Sequence, residues 1–122
     1  MQKKRLLIIE DEHTLAESLL KAMKKVGFEA QAVETGEEGI KKLEEETFDI
    51  ILLDLYLPRE NGIEVLKRLR KRKMETKVIV MTAYGSMETN IESIRLGASD
   101  YIYKSEGLLG DLKESLGRIF SE

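Results

Sequence analysis

The chain alternates short apolar segments with amphipathic segments of helical period, and it does so five times. The apolar segments are RLLIIE, FEAQAV, FDIILLDL, KVIVMTA and SDYIYK. The second of them alternates in polarity and suits a more exposed strand, whereas the third is the most hydrophobic and is predicted to be central. Apolar strands that alternate with amphipathic helices are typical of a parallel sheet covered on both faces. The pattern therefore predicts an α/β fold, a doubly wound sheet of five βα units.

The helical segments each carry apolar residues on one face, and several have recognisable ends. Gly27 and Gly97 are predicted to end the first and fourth helices, and Thr35 with Glu38 fits a capping box that opens the second. The apolar positions are Leu15, Leu19, Met23 and Val26 in the first helix, Ile40 and Leu43 in the second, Leu66 and Leu69 in the third, Met87, Ile91 and Ile94 in the fourth, and Leu109, Leu112, Leu116, Ile119 and Phe120 in the fifth.

Length and composition limit the class of protein. The 122 residues fit a single domain, and a hydrophobic fraction of 42% with 35% charged residues is typical of a globular chain. The absence of cysteine excludes disulfides, thiolate metal sites and cysteine nucleophiles. No apolar run is long enough for a membrane span or a signal peptide, so we expect a cytoplasmic protein. The net charge of −3 argues against a general nucleic-acid-binding surface.

Polar residues stand where four of the predicted strands end. Glu10 and Asp11 follow the first strand, and Asp54 ends the third. In an open doubly wound sheet the site lies beyond the carboxyl ends of the strands. Carboxylates that meet there repel one another unless a cation lies between them, and hard oxygen ligands with few protein contacts suit Mg²⁺. The sequence therefore predicts a magnesium site built from these carboxylates.

The other two strand-end residues suit a phosphoryl group. Thr82 ends the fourth strand and Lys104 the fifth. A metal ion and an ammonium neutralise the charge of a phosphoryl group, and a hydroxyl donates a hydrogen bond to it. A central carboxylate, Asp54, is able to act as the nucleophile and form an acyl phosphate. The pattern thus favours a phosphoryl-transfer site.

Four segments, IIEDE, ILLDLYLPRENG, VIVMTAYGS and GASDYIYK, resemble the receiver domain of two-component response regulators in order and spacing. The resemblance runs from end to end, so residues 1–122 are expected to be a single receiver domain. It implies the flavodoxin-like (βα)5 fold with strand order 2-1-3-4-5. The stretch TAYGSMET is similar to receivers of nitrogen-regulatory-type transcription activators.

The resemblance implies a role for each strand-end residue. Asp54 is expected to accept a phosphoryl group from a sensor histidine kinase or a phosphotransfer protein. Glu10, Asp11 and Asp54, with the backbone carbonyl of Tyr56, are expected to hold Mg²⁺. Thr82 and Lys104 correspond to the residues that contact the phosphoryl group.

The resemblance also implies a switch. Thr82 is expected to shift toward the phosphoryl group, and Tyr101 corresponds to the aromatic residue that turns inward when the threonine moves. The surface of the fourth helix, fifth strand and fifth helix then changes to control an output domain or a partner, with transcriptional regulation the expected process. A phosphorylation-dependent homodimer is one expected form of that output. Direct binding of nucleic acid or membrane by this domain is not expected, nor is enzymatic activity beyond its own phosphotransfer and slow self-dephosphorylation.

Two features are particular to this chain. Ser105 follows Lys104 where the family usually has a proline after a cis bond, and a cis bond to a non-proline residue costs about 2.5–4 kcal/mol. We therefore predict a trans Lys104–Ser105 bond. Tyr56, Ala83 and Tyr84 are expected at the pocket rim, and we hypothesise that the two tyrosine rings hinder the water that hydrolyses the acyl phosphate.

Several alternatives are open from the sequence. The chain is either an excised receiver or a stand-alone one that relays phosphate or binds a target, and a degenerate receiver that acts only as an interaction module is a further alternative. A haloacid-dehalogenase-type phosphatase is disfavoured because Tyr56, not an acid, lies two residues after Asp54. A flavodoxin-like electron carrier is disfavoured because EDEHT would repel a phosphate. His13 is expected to be exposed, and the basic run KRLRKRK is interpreted as a solvated helix face.

Overall fold

The computed structural model describes residues 3–57, 59–72 and 74–121, in which five strands alternate with five helices. The strands form one parallel sheet in the order β2-β1-β3-β4-β5, which confirms the predicted doubly wound α/β fold. The central position of β3 is also confirmed. The strands are β1 (Arg5–Ile9), β2 (Glu29–Val33), β3 (Ile50–Asp54), β4 (Lys77–Thr82) and β5 (Asp100–Tyr103).

The helices cover both faces of the sheet because successive strand residues point to opposite faces. Leu7 and Ile9 of β1 pack into one core cluster, whereas Leu6 and Ile8 pack into the other. The first cluster contains residues of α2 and α3, and the second contains residues of α1 and α5. The helices are α1 (His13–Val26), α2 (Gly36–Glu45), α3 (Gly62–Lys71), α4 (Met87–Arg95) and α5 (Leu108–Ile119).

The three inner strands form the hydrophobic centre of the molecule. Every residue of β3 is buried, and so are Leu6 to Ile9 of β1 and Val78 to Thr82 of β4. Each fully buried leucine or isoleucine contributes about 1.5–3 kcal/mol relative to an exposed one. This rigid layer fixes the positions of the residues that follow the strands. Within the described residues no helix is both long and apolar enough to cross a membrane.

Gly27 ends α1 as predicted, and Thr35 caps α2 through its hydroxyl, whereas a full capping box would also use the Thr35 backbone N–H. Gly27 ends α1 with a φ of 119°, a conformation that favours glycine, and its N–H donates to the carbonyls of Met23 and Lys24. Thr35 opens α2 by accepting a hydrogen bond of 3.0 Å from the N–H of Glu38, and its hydroxyl donates to the Glu38 carboxylate. These caps set where the connections to the sheet begin.

The apolar face of α4 is turned toward solvent, which the sequence pattern does not reveal. Met87, Ile91 and Ile94 are 79%, 46% and 52% exposed, and Ser93 is the buried residue of this helix. The apolar spacing correctly predicts a helix, but a small serine makes its contact with the interior. Val26 and Leu109 are likewise exposed, because each lies in a terminal turn of its helix.

Candidate functional site

Three carboxylates converge beyond the carboxyl ends of β1 and β3. The two strands are paired, with Ile9 opposite Leu53, so Glu10 and Asp54 follow at neighbouring positions. Carboxylate oxygens of Glu10, Asp11 and Asp54 all lie within 4.8 Å of one another. Glu10 and Asp54 are buried, and Asp11 is partly exposed. The structure therefore brings together the acidic residues that the sequence places at strand ends.

Lys104 completes this cluster from the end of β5. Its ammonium nitrogen lies 3.1 Å from Asp54 Oδ2 and 2.5 Å from Glu10 Oε1. The backbone N–H of Lys104 donates to the carbonyl of Thr82, which holds the lysine against the end of β4. Asp54 Oδ1 accepts a hydrogen bond of 3.1 Å from the N–H of Tyr56. Asp54 is thus fixed by a backbone donor on one side and by a cation on the other.

The buried charges change the pKa values of two groups. Burial and the negative charge of Asp54 raise the pKa of Glu10 to about 7, although the Lys104 ammonium and the Glu12 N–H favour its ionised form. Burial alone would lower the pKa of Lys104. The contact with Glu10 and the negative charge of Asp54 outweigh the effect of burial, so the pKa of Lys104 is raised. The lysine therefore stays charged, whereas Glu10 keeps its proton to a higher pH than an exposed glutamate does.

The acidic cluster suits a small divalent cation. Its donors are hard carboxylate oxygens, which Mg²⁺ prefers. Glu10 Oε1 is buried and, among the described residues, has the ion pair with the Lys104 ammonium but no further hydrogen-bond donor. A buried acceptor without a further donor is the state that a bound cation would relieve. The residues present therefore fit a metal ion of this kind.

Thr82 and the rim residues lie on the opposite side of the pocket. Thr82 is fully buried, and its hydroxyl oxygen accepts a hydrogen bond of 3.1 Å from the N–H of Tyr84. Ala83 and Tyr84 are exposed, Tyr84 by 77%. The hydroxyl of Tyr56 donates a hydrogen bond of 2.7 Å to the carbonyl of Tyr84. The two tyrosines therefore connect the loops after β3 and β4.

Tyr101 is connected to α4 by contacts that the sequence reasoning missed. Its ring is half-buried against the core, and its hydroxyl lies 2.7 Å from Thr89 Oγ1. Thr89 also forms the capping box of α4 with Ser86, and the Ser-x-x-Thr spacing was the available signal. Gly85 is needed because a Cβ there would lie 2.5 Å from the Tyr101 hydroxyl and 2.9 Å from Thr82 Cγ2. Thr82, Gly85 and Tyr101 thus form one packed unit.

The loop that follows Lys104 has an ordinary backbone. The Lys104–Ser105 bond is trans, as predicted, and so are the other peptide bonds of the described residues. Ser105 Oγ accepts a hydrogen bond of 3.3 Å from the N–H of Gly107, just before α5 begins. A serine in place of proline therefore still allows the lysine to reach Asp54.

Two other sequence interpretations concern the surface. His13 is exposed, as predicted, and lies 2.9 Å from the Glu34 carboxylate. The basic run of α3 is largely paired within the molecule, because Arg68 contacts Glu60 and Arg72 contacts Glu44. The predicted solvated helix face is confirmed for Lys67, Lys71 and Arg72, whereas Arg70 packs against backbone carbonyls and Lys73 lies outside the described residues.

Comparison with curated proteins identifies relatives that are regulators. Transcriptional regulatory protein DltR of Streptococcus agalactiae is 35% identical over 100 residues, which cover 82% of this chain and 45% of DltR. Regulatory protein AtoC of Escherichia coli is 36% identical over 100 residues, which cover 82% of this chain and 22% of AtoC. The chain thus spans about half the length, or less, of the curated relatives it matches.

Solved structures agree with the fold over nearly the whole chain. Response regulator protein TrrA of Thermotoga maritima, in complex with Mg²⁺–BeF, has a TM-score of 0.85 and 32% identity and covers 96% of this chain and 99% of its own. A CheY-like receiver domain of Methanospirillum hungatei has a TM-score of 0.85 and 33% identity, with 96% of each chain covered. Residues 6–115 match the model of the response regulator receiver domain. The chain therefore belongs to the receiver domains of response regulators, the signalling domains of two-component systems.

Proposed function

We propose that this domain is a phosphorylation-dependent switch in which Asp54 accepts a phosphoryl group from a phosphohistidine of a sensor kinase or phosphotransfer protein. One observation carries the proposal: the carboxylates of Glu10 and Asp11 and the Lys104 ammonium converge on the buried carboxylate of Asp54. Without a ligand, such a cluster would be energetically unfavourable, because folding removes several negatively charged carboxylates from water and places them close together. Membership of the receiver family supports the same role.

The transfer needs an oxygen nucleophile and a nitrogen leaving group. A carboxylate oxygen of Asp54 attacks phosphorus, a P–O bond forms and the P–N bond to the donor imidazole breaks. The imidazole nitrogen keeps the electron pair and takes up a proton. Mg²⁺, held by Glu10, Asp11 and Asp54 with the Tyr56 carbonyl, would neutralise charge on the phosphoryl oxygens. The hydrogen bond from the Tyr56 N–H to Asp54 Oδ1 already orients the nucleophile before any donor arrives.

Lys104 and Thr82 stabilise the phosphoryl group once it is bound. The ammonium of Lys104, now shared between Glu10 and Asp54, pairs with a phosphoryl oxygen. The hydroxyl of Thr82 donates to a second phosphoryl oxygen and gives up the hydrogen bond that it accepts from the Tyr84 N–H. Phosphorylation therefore changes the loop after β4 directly.

The change at Thr82 is transmitted to the surface formed by α4, β5 and α5. Thr82 belongs to the same packed unit as Gly85 and Tyr101. The Tyr101 hydroxyl in turn contacts Thr89, which forms part of the N-terminal capping box of α4. Ser93 is the buried residue of α4 and its Oγ has no hydrogen-bond partner among the described residues, so few buried side chains hold this helix against the sheet. The exposed apolar side chains on this surface are Met87, Ile91, Ile94, Tyr103 and Leu109. A shift of α4 would rearrange them for a homodimer, an output domain or another protein partner.

Phosphorylation is tested with a small acyl-phosphate donor and Mg²⁺, followed by intact mass measurement. The wild-type chain is expected to gain one phosphoryl adduct that requires Mg²⁺. Asp54→Asn is expected to gain none, whereas Asp111→Asn, a change of the same kind on the exposed first turn of α5, should behave as wild type. Absence of the adduct in a chain that binds Mg²⁺ would reject the proposal and favour an interaction module that takes no phosphate.

A further inference from the structure

A second concave surface lies at the opposite end of the sheet from Asp54. It is a groove of about 440 Å³ between the last turns of α1 and α5 and the starts of β1 and β2. Because Asp54 ends its strand and these residues precede theirs, the height of the sheet separates the two sites. The groove is lined by Lys3, Lys4, Val26, Gly27, Phe28, Lys113, Leu116, Gly117 and Phe120.

The floor of the groove is apolar, and none of the residues 3–57, 59–72 and 74–121 covers it. Phe28 and Leu116 are nearly buried, and the rings of Phe28 and Phe120 pack with centroids 6.0 Å apart. Val26 is 47% exposed, although its place in the helical pattern is an inward one. A Cβ added at Gly27 or Gly117 would meet no described atom within 4 Å, so the space above the floor is open.

The rim of the groove is positively charged in a chain whose net charge is −3. Lys3, Lys4 and Lys113 line it, and no carboxylate lines it in the part of the chain that the structure describes. None of the three lysines forms an ion pair with a described residue, in contrast to the paired arginines of α3. The Lys4 ammonium lies 4.9 Å from the centre of the Phe120 ring, so charge and apolar surface are adjacent.

We propose that this groove binds an acidic segment of a partner protein, anchored by an apolar side chain. Three uncompensated lysines around an apolar floor complement glutamate or aspartate beside a leucine or phenylalanine. A membrane surface is less suited to the site, because the apolar residues lie in a concavity rather than on a protruding helix face. The site is separate from Asp54, so its occupation does not require the phosphoryl group.

The proposal is tested by titrating the ¹⁵N-labelled chain with a synthetic helical peptide that has leucines on one face and glutamates flanking them on both sides of that face. A peptide with glutamine in place of glutamate is the charge control. We expect amide shifts at Gly27, Phe28 and Gly117, and weaker or no shifts with the glutamine peptide. The double variant Lys3→Glu, Lys113→Glu should bind at least about tenfold more weakly, as expected for reversal of close complementary charges.

A matched variant distinguishes loss of the charges at the groove from a general effect of net charge on peptide binding. Lys41→Glu, Lys71→Glu makes the same charge change on exposed positions of α2 and α3 and should bind as wild type. Equal weakening in both variants, equal binding of the glutamine peptide, or no groove shifts at millimolar peptide would overturn the proposal. So would preferential binding to phosphatidylglycerol vesicles, which would assign a lipid surface, or concentration-dependent shifts of the same amides without peptide, which would assign a second copy of the chain.

Discussion

The hydroxyl of Tyr56 donates a hydrogen bond of 2.7 Å to the backbone carbonyl of Tyr84, and the two rings meet edge to face with centroids 6.0 Å apart. The contact joins the loop after β3 to the loop after β4 at the mouth of the pocket. A water molecule that hydrolyses an acyl phosphate on Asp54 must approach in line through this mouth. We hypothesise that this tyrosine pair shields the phosphoryl group from that water.

We predict that Tyr56→Phe speeds loss of the phosphoryl group. The substitution keeps the ring but removes the hydroxyl, and a net hydrogen bond of about 1 kcal/mol corresponds to a rate increase of about fivefold. Tyr84→Ala, which removes the partner ring, should have at least as large an effect. The measurement is decay of the intact-mass adduct after the donor is removed. Tyr103→Phe, an exposed tyrosine of β5, is the control, and a wild-type decay rate in both pocket variants would refute the shielding hypothesis.

Mg²⁺ affinity should rise with pH across neutrality. Burial beside Asp54 raises the pKa of Glu10 to about 7 in the metal-free protein, and a metal ligand must be deprotonated. With that pKa, about a tenth of Glu10 is ionised at pH 6 and about nine tenths at pH 8, so affinity should increase by about tenfold. Calorimetric titration at both pH values measures it. In Glu10→Gln the affinity should be lower and nearly independent of pH; a wild-type pH dependence in that variant would assign the proton to another group.

The same group should reduce the stability of the metal-free protein at high pH. Because the pKa of Glu10 is raised on folding from 4.5 to about 7, the folded state binds the proton more tightly than the unfolded state. Stability is therefore expected to fall as pH rises through this interval, and Mg²⁺ should restore it. Thermal unfolding in a chelator at pH 5 and pH 8, then with Mg²⁺ at pH 8, measures the effect. A melting temperature for Glu10→Gln with the same pH dependence as wild type would contradict it.

The sheet and the acidic cluster were both predictable from sequence, for one physical reason. Buried parallel strands need continuous apolar runs, and their carboxyl ends lie at one edge of the sheet, so Glu10, Asp54, Thr82 and Lys104 were expected at that edge. The sequence does not reveal how Lys104 divides its charge between Glu10 and Asp54, because that depends on distances between strands far apart in the chain.

The orientation of α4 and the contacts of Tyr101 were not predictable in the same way. The apolar spacing of Met87, Ile91 and Ile94 indicates an inward face, yet tertiary packing places Ser93 inside. Helical periodicity reports that one face is apolar but not whether the same chain covers it. The Tyr101–Thr89 contact joins side chains from two elements, and only the folded sheet brings them within 2.7 Å.

Glu46 is expected to contribute to stability against acid. Its carboxylate accepts a hydrogen bond of 2.5 Å from Arg5 and contacts Lys42 and Gln31, which together lower its pKa from 4.5 to about 2. The stabilisation is present above pH 4.5 and is lost as pH falls toward 2. Glu46→Gln should unfold at lower urea concentration at pH 7 and lose less stability between pH 4.5 and 2. Glu45→Gln, on the exposed last turn of α2, is the control; equal acid sensitivity of Glu46→Gln and wild type would contradict the assignment.

We predict that Arg70 stabilises the C-terminal end of α4. Its guanidinium donates to backbone carbonyls that follow α3 and α4, and these belong to Met74, Thr76, Leu96 and Gly97. Lysine keeps the charge but not the planar fork, so it is unable to reach all of these acceptors.

Arg70→Lys is therefore expected to lower the free energy of unfolding by about 2 kcal/mol, the size of a hydrogen bond to a charged group. Arg72→Lys changes an exposed ion pair with Glu44 and should cost less than about 1 kcal/mol. Urea unfolding measures both variants, and hydrogen exchange at the Leu96 and Ala98 amides should accelerate in Arg70→Lys alone. Equal losses of stability in the two variants, with unchanged exchange at those amides, would show that Arg70 contributes only its charge. Faster exchange in Arg70→Lys alone would instead show that the guanidinium holds the end of α4, because a general charge effect would act on both variants alike.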